Sequence, residues 1–214
     1  MAKDSDVYKT LSTTRLRQVQ KTQRGASLII VLIVLTIVSL LGVAGIQVSM
    51  MSERGARNDR DMQLAWQSAE EALIDAEFDL FGTTGITSTR VATFNPLANQ
   101  PNVIAFTPGC GVGSSAGLCE LVDSGKQAWL TVPFTTTGSS AQTAAYGQFT
   151  GRTFAAGTLG IQPAAPPRYV IELIPDPGHR DLNASVPKYV YRVTAMGFGP
   201  RADIQAVVQM IYRN

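Results

Sequence analysis

The chain changes from polar to apolar at Gln23-Arg24-Gly25-Ala26-Ser27-Leu28-Ile29-Ile30-Val31-Leu32. No charged residue occurs from Ala26 to Ser52, and fourteen Leu, Ile and Val residues lie between Leu28 and Ile46. About 20 apolar residues span a bilayer as a helix, and each of these side chains favours insertion by about 0.3–0.6 kcal/mol near the bilayer centre. The sequence therefore predicts a membrane-spanning helix over 26–50.

The small residues of this junction precede the apolar run. A secretory signal is cut after its apolar region, so that the apolar part is lost. A cut between Gly25 and Ala26 would instead remove residues 1–25 and keep the helix. A basic leader that ends in Gly, followed by a small residue and about 20 apolar ones, resembles a type IV prepilin signal. An ordinary amino-terminal anchor with an incidental glycine is the alternative.

The charges are distributed unevenly along the chain. Residues 1–25 carry a formal charge of +4, whereas the remainder carries −2. Lys and Arg placed before a membrane span keep that end in the cytoplasm, so the body of the protein is expected on the far side. The slightly acidic body also argues against a general surface for nucleic acid or anionic lipid.

The chain has two cysteines, Cys110 and Cys119, and one histidine, His179. Both cysteines fall on the predicted translocated side of the membrane, where disulfides persist. A bond between them would close a short loop and contribute roughly 2–3 kcal/mol through loop entropy. Two free thiols, or half of a metal site, are the alternatives. Because no histidine lies nearby, we favour the disulfide and expect no metal site.

One continuous helix is predicted over 26–81, and the absence of proline between Ala26 and Pro96 permits it. Beyond the apolar run, an apolar stripe recurs at three- and four-residue steps, with the members Met62, Ala65, Trp66, Ala69, Ala72, Leu73, Ala76 and Leu80. The face between them carries polar residues, among them Asp59, Gln63, Glu70, Asp75 and Glu77. The second half of the helix is therefore expected to carry a folded domain on its stripe.

Residues 82–214 are expected to form that globular domain. The part from 82 to 165 is rich in Gly, Thr, Ser and Ala and predicts edge strands, as at 103–106 and 129–134, mixed with long loops. Three alternating runs follow, at 169–174, 188–195 and 204–211. They predict an antiparallel sheet with one face against the helical stripe, which is an α+β arrangement.

Two parts of the chain resemble the PilX family of minor pilins of the bacterial type IV pilus. The first is Gly25-Ala26-Ser27-Leu28-Ile29 with Gln63-Leu64-Ala65-Trp66-Gln67-Ser68-Ala69-Glu70, and the second is Tyr191-Arg192-Val193-Thr194-Ala195-Met196-Gly197 with Ala206-Val207-Val208-Gln209. The resemblance implies a type IV pilin-like fold, cleavage by prepilin peptidase between Gly25 and Ala26, and N-methylation of Ala26. The partners that the resemblance implies are the membrane, an inner-membrane assembly platform, other minor pilins and the major pilin. A tip adhesin of the PilY type is a further candidate.

The chain departs from the general pilin pattern at Ile30. Most pilins carry Glu at the fifth mature position, where it pairs with the amino terminus of a neighbouring subunit during assembly. Counted from Ala26, that position is Ile30. Relatives that lack the Glu, such as the K-type pseudopilin of type II secretion, resemble subunits suited to the first, tip-most place in a filament.

The sequence shows no catalytic constellation and no nucleotide-binding or metalloprotease motif. We therefore expect a non-enzymatic minor pilin without a cofactor, and without nucleic acid as a partner. It would lie in the inner membrane with a periplasmic head before assembly, and in an initiation or tip complex of the pilus afterwards. A K-type pseudopilin, a tip adhesion module and a membrane-anchored sensor or binding module are the alternatives.

Overall fold

The computed structural model describes residues 26–94, 101–158, 160–176 and 188–213. The predicted leader 1–25, with Gly25, and the loop that contains His179 lie outside the described residues. Helix α1 runs from Ala26–Phe81 without interruption. It ends at Gly82, whose φ of +64° lies in the left-handed region, and whose N–H donates to the Phe78 carbonyl oxygen at 2.9 Å. A glycine is the residue that adopts this conformation most easily at the end of a helix.

The chain divides into two compact units inside α1, one ending at Ser52 and the other beginning at Glu53. In the first unit the described helix is apolar on all sides, and its most apolar window has a mean hydropathy of 3.0. By length and composition, this is the one helix in the described ranges that can cross a membrane.

The second unit contains a five-stranded mixed sheet. Strands β3 (Arg168–Pro175), β4 (Tyr189–Phe198) and β5 (Gln205–Tyr212) form an antiparallel meander. The short strands β1 (Leu118–Cys119) and β2 (Ala144–Ala145) both pair with β3, the first in parallel and the second antiparallel. The three long strands lie where the alternating pattern predicts them, and the α+β class is confirmed.

The prediction of edge strands at 103–106 and 129–134 is wrong. Residues Val103–Ala105 form a 3₁₀ turn, and Ala128–Thr131 form the short helix α3. A further short helix, α2, covers Val91–Phe94. The edge of β3 that faces away from β4 is already occupied by β1 and β2, so these β-prone segments have no strand to pair with there. They instead place Phe106 and Val132 in the protein interior.

Small residues allow β4 to lie directly against α1. The helix buries Ala65, Ala69, Ala72 and Ala76 completely. A methyl group at Gly197 of β4 would collide with the backbone of Ala65 and Ala69. The predicted stripe is therefore right for its alanines, but Met62 and Trp66 are 37% and 47% exposed. The small side chains determine the contact because they let the two backbones approach closely.

The sheet is covered on both faces. One face packs on α1 through a cluster that includes Leu80, Tyr169, Ile171 and Val193. The other face packs on a smaller cluster that contains the two cysteines, Ala128, Val132, Phe134 and Val170. Strand β3 is consequently buried from Arg168 to Leu173 on both sides.

Candidate functional site

The apolar half of α1 offers a surface without charge. The Ile30 side chain is 60% exposed, and it lines a shallow apolar groove with Val31, Val34, Leu35, Val38 and Ser39. The hydroxyl groups of Thr36 and Ser39 donate to the carbonyl oxygens of Ile33 and Leu35, both at 2.8 Å. Because these polar groups are satisfied within the helix, the surface suits lipid or the apolar faces of similar helices.

The predicted site residues that the structure describes are divided between the two compact units. Ala26 is the first residue of α1, and Ile30 lies one turn further along. Cys110 and Cys119 belong to the second unit, where they form the predicted disulfide. Cys119 lies in β1 opposite Glu172 of β3, so the disulfide ties its loop to the central strand. Among the described residues, no group of three or more acidic, histidine or cysteine side chains suits a metal ion.

A buried polar cluster joins the end of α1 to the rest of the second unit. The Arg90 guanidinium pairs with the Asp79 carboxylate at 2.5 Å, and both side chains are almost inaccessible to solvent. Asp79 also accepts hydrogen bonds from the hydroxyl groups of Ser88 at 2.6 Å and Tyr169 at 2.9 Å. The guanidinium lies 3.5 Å from the centre of the Phe149 ring. Burial raises the pKa of the Tyr169 hydroxyl well above its usual value, and the negative charge of Asp79 adds to this shift.

A second buried carboxylate, Asp75, lies one turn earlier on α1. It accepts hydrogen bonds from the Gly147 N–H at 2.8 Å and from the Thr150 hydroxyl at 2.6 Å. The guanidinium of Arg152 lies 3.6 Å from it. Burial raises the pKa of the Asp75 carboxyl, although these hydrogen bonds and Arg152 oppose the shift.

The prediction that Asp75 lies on the solvent face of α1 is therefore wrong, because partners on a distant loop satisfy its charge. The sequence reasoning also missed Asp79 entirely. A signal was present, since Asp79 follows Ala72 by seven residues and Ala76 by three, which places it on the buried stripe.

The third buried carboxylate, Glu172, lies in the central strand on the other face of the sheet. The Arg192 Nε donates to it at 2.8 Å, and Arg192 Nη2 donates to the Gln127 side-chain oxygen at 2.8 Å. Gln127 immediately precedes α3. This network therefore attaches the segment that covers the outer face to the sheet itself.

Two family models match the chain. The PilX N-terminal model matches residues 24–73, and the model for the carboxyl-terminal part of the type IV pilus assembly protein PilX matches residues 115–214. The chain belongs to the PilX family. It is thus a minor pilin of type IV pilus assembly, a structural component whose apolar helix indicates membrane anchoring and a place in the pilus. No curated protein and no solved structure is similar enough to count as a match.

The two matches include most of the structure just described. The N-terminal PilX match contains the uncharged surface of α1 and the first alanines of its stripe. The carboxyl-terminal PilX match contains all five strands. Asp75, Asp79 and Arg90 lie between the matches, in the segment 74–114, whereas their partners Thr150, Arg152 and Tyr169 lie within the second match.

Proposed function

We propose that this PilX-family protein is a minor pilin that joins an initiation complex and occupies the tip of a type IV pilus. Prepilin peptidase removes the leader 1–25 by cutting between Gly25 and Ala26, and the new amino group of Ala26 is methylated. The apolar half of α1 then passes from the inner membrane into the core of the filament. The globular domain 82–214 faces the periplasm before assembly, as the basic leader favours.

The uncharged surface of α1 carries this proposal. A carboxylate inside a membrane costs a few kcal/mol unless it is paired, and a pilin that has one at the fifth mature position pairs it with the amino group of its neighbour. Ile30 needs no such partner and offers none. The Ala26 amine of this subunit nevertheless stays available to a glutamate of the next subunit. A subunit with these properties can begin a filament.

The proposal defines the partners by the surface they contact. The major pilin and other minor pilins pack against the apolar half of α1, while the assembly platform engages the subunit in the inner membrane. Other minor pilins, or an adhesin of the PilY type, contact the globular domain at the tip. In this proposal the globular domain 82–214 makes contacts with partners and catalyses no reaction.

The intact mass of the protein extracted from membranes tests the processing step. We expect a chain that begins at Ala26 and carries one added methyl group. A Gly25→Leu variant should keep the leader, because the small residue before the cut is lost. A Gly45→Leu variant is the matched control, since Gly45 lies in the apolar run with open space around it, and it should be processed normally. A mature chain that begins at Met1, or beyond Ile46, would refute the proposal.

A further inference from the structure

A small pocket lies at one corner of the sheet, where β2 meets the first residue of β3 and the end of β4. Its volume is about 240 Å³. The walls are mainly apolar and include Phe134, Ala145, Ala165, Phe198 and Ala202, with the Arg168 side chain as the charged group. This is somewhat smaller than the roughly 300–1,000 Å³ of pockets that hold drug-sized ligands, so the pocket has room only for a smaller molecule.

Arg168 is the unusual member of this pocket. Its side chain is only 7% exposed, and two of its nitrogens are held by one residue: Nε donates to the Thr143 hydroxyl and Nη2 to the Thr143 carbonyl oxygen, both at 2.6 Å. Within the described ranges, Nη1 donates to no acceptor and no carboxylate pairs with the guanidinium. The charge therefore has neutral hydrogen-bond partners but no counter-ion.

Arg90, the other well-buried arginine among the described residues, has a different environment. Arg90 faces the carboxylate of Asp79, in keeping with the general rule that buried charges are paired. Burial lowers the pKa of Arg168, yet a guanidinium stays protonated in proteins. Nη1 is not among the buried side-chain atoms that lack a partner, so solvent reaches it at the pocket. An anion placed there would gain a charge-assisted hydrogen bond next to the apolar walls.

We propose that this pocket binds a small organic monocarboxylate. The carboxylate accepts a hydrogen bond from Nη1 of Arg168, and a short apolar or aromatic body packs against Phe134 and Phe198. Both requirements come from the same pocket, since an inorganic anion would leave the apolar walls uncovered and a neutral apolar molecule would leave the charge unpaired. This binding activity is separate from pilus assembly and does not depend on it.

Ligand-detected ¹⁹F NMR on the full-length processed protein in lipid nanodiscs tests the proposal, with 4-fluorophenylacetate as the probe. The neutral 4-fluorophenylacetamide has nearly the same shape, and empty nanodiscs correct for partition into lipid. We expect saturable binding of the acid. The amide should bind at least about tenfold more weakly, because its carbonyl oxygen can still accept from Nη1 but carries no negative charge to pair with the guanidinium.

Three variants locate the binding. Arg168→Gln should weaken binding of the acid by at least about tenfold. Ala165→Phe should abolish it by filling the pocket while leaving the contacts between Arg168 and Thr143 in place, so it remains informative if the first variant does not fold. Arg201→Gln is the control, because it removes a nearby exposed arginine that is already paired with Asp203, and it should leave the affinity unchanged.

The proposal is overturned by equal binding of the acid and the amide, by unchanged affinity in the Ala165→Phe variant, or by no saturable binding up to about 10 mM, which is weaker than the millimolar affinity of a marginal ligand. None of these results bears on the processing or location of the pilin. The mass measurement proposed above therefore stands or fails independently.

Discussion

At the scale of single residues, three carboxylates are fully buried in the described part of the second unit: Asp75, Asp79 and Glu172. Each lies beside an arginine from another part of the chain. Removing two charges from water costs several kcal/mol per ion, and good geometry recovers this cost only in part. Such pairs add little net stability, but removing one partner leaves an unpaired charge in the interior.

The Arg90→Leu variant should therefore lower the free energy of unfolding by about 3–5 kcal/mol, because it leaves Asp79 buried without its cation. Chemical denaturation of the full chain measures this difference. Arg57→Leu serves as the control, since Arg57 and its partner Glu53 are both largely exposed on α1. That change should cost no more than about 1 kcal/mol. Equal effects of the two substitutions would contradict the assignment of Arg90 to a buried ion pair.

The Asp75→Asn variant should change how stability depends on pH. Burial raises the pKa of Asp75 above its usual 3.8, so the folded chain keeps this proton at pH values where the unfolded chain has released it. The contribution of Asp75 to the free energy of unfolding is therefore fully present below pH 3.8 and is lost as the pH rises through the pKa of the folded state. Between neutral pH and about pH 4, the wild type should gain stability relative to Asp75→Asn as the pH falls.

Denaturation curves at a series of pH values measure this difference, and Asp203→Asn provides a control of opposite sign. The hydrogen bond from Arg201 lowers the pKa of Asp203, so the wild type should lose stability relative to that variant on acidification. A constant difference between the wild type and Asp75→Asn across the range would show that the Asp75 carboxyl does not titrate as expected.

At the scale of elements, the contact between α1 and β4 determines how the second unit packs. Alanines on the helix and Gly197 on the strand bring two backbones together, so neither side has a flexible side chain that can move aside. Gly199 follows the same rule, because a methyl group there would lie 2.9 Å from the Asp61 carbonyl oxygen. The disulfide lies on the opposite face of the sheet, and Cys110 has a φ of +70°.

The Gly197→Ala variant should lower the free energy of unfolding by about 1–3 kcal/mol, the usual cost of forcing an extra methyl group into a packed interior. Thermal or chemical denaturation measures the change. The matched control is Gly55→Ala, since Gly55 lies on α1 with open space around it, and alanine there should stabilise the helix by up to about 1 kcal/mol. A neutral or stabilising effect of Gly197→Ala would mean that β4 does not lie against the helix backbone.

At the scale of the whole molecule, the proposed place at the tip has consequences for the filament. Deletion of the protein should reduce the number of pili per cell more than their length, because fewer filaments begin while each one elongates as before. Counting and measuring pili by electron microscopy tests this expectation. Immunolabelling should detect the protein at filament ends, with antibody against the major pilin as the control that labels the whole length. Even labelling along filaments would refute the tip placement but not the family assignment.

Much of the architecture could be predicted because its determinants are local. The apolar run and the stripe that follows it at three- and four-residue steps predict α1, and alternation with a period of two residues predicts β3, β4 and β5. The short segments between them could not be predicted, since whether 103–106 and 129–134 form strands depends on a free sheet edge to pair with. In the folded chain, the short strands Leu118–Cys119 and Ala144–Ala145 already pair with that edge.

By itself, the sequence determined the apolar helix, the α+β class and the PilX resemblance, because hydrophobic periodicity and the order of charged and apolar residues act along the chain. Only the tertiary structure decided which charges are buried. Asp79 can be an interior residue because it contacts Arg90 and Tyr169, which are eleven and ninety positions away in the sequence. Arg168 becomes a candidate ligand-binding residue because no carboxylate in the described chain pairs with its guanidinium. The pairing of a buried charge is a property of distant partners, so it is not encoded in any local pattern.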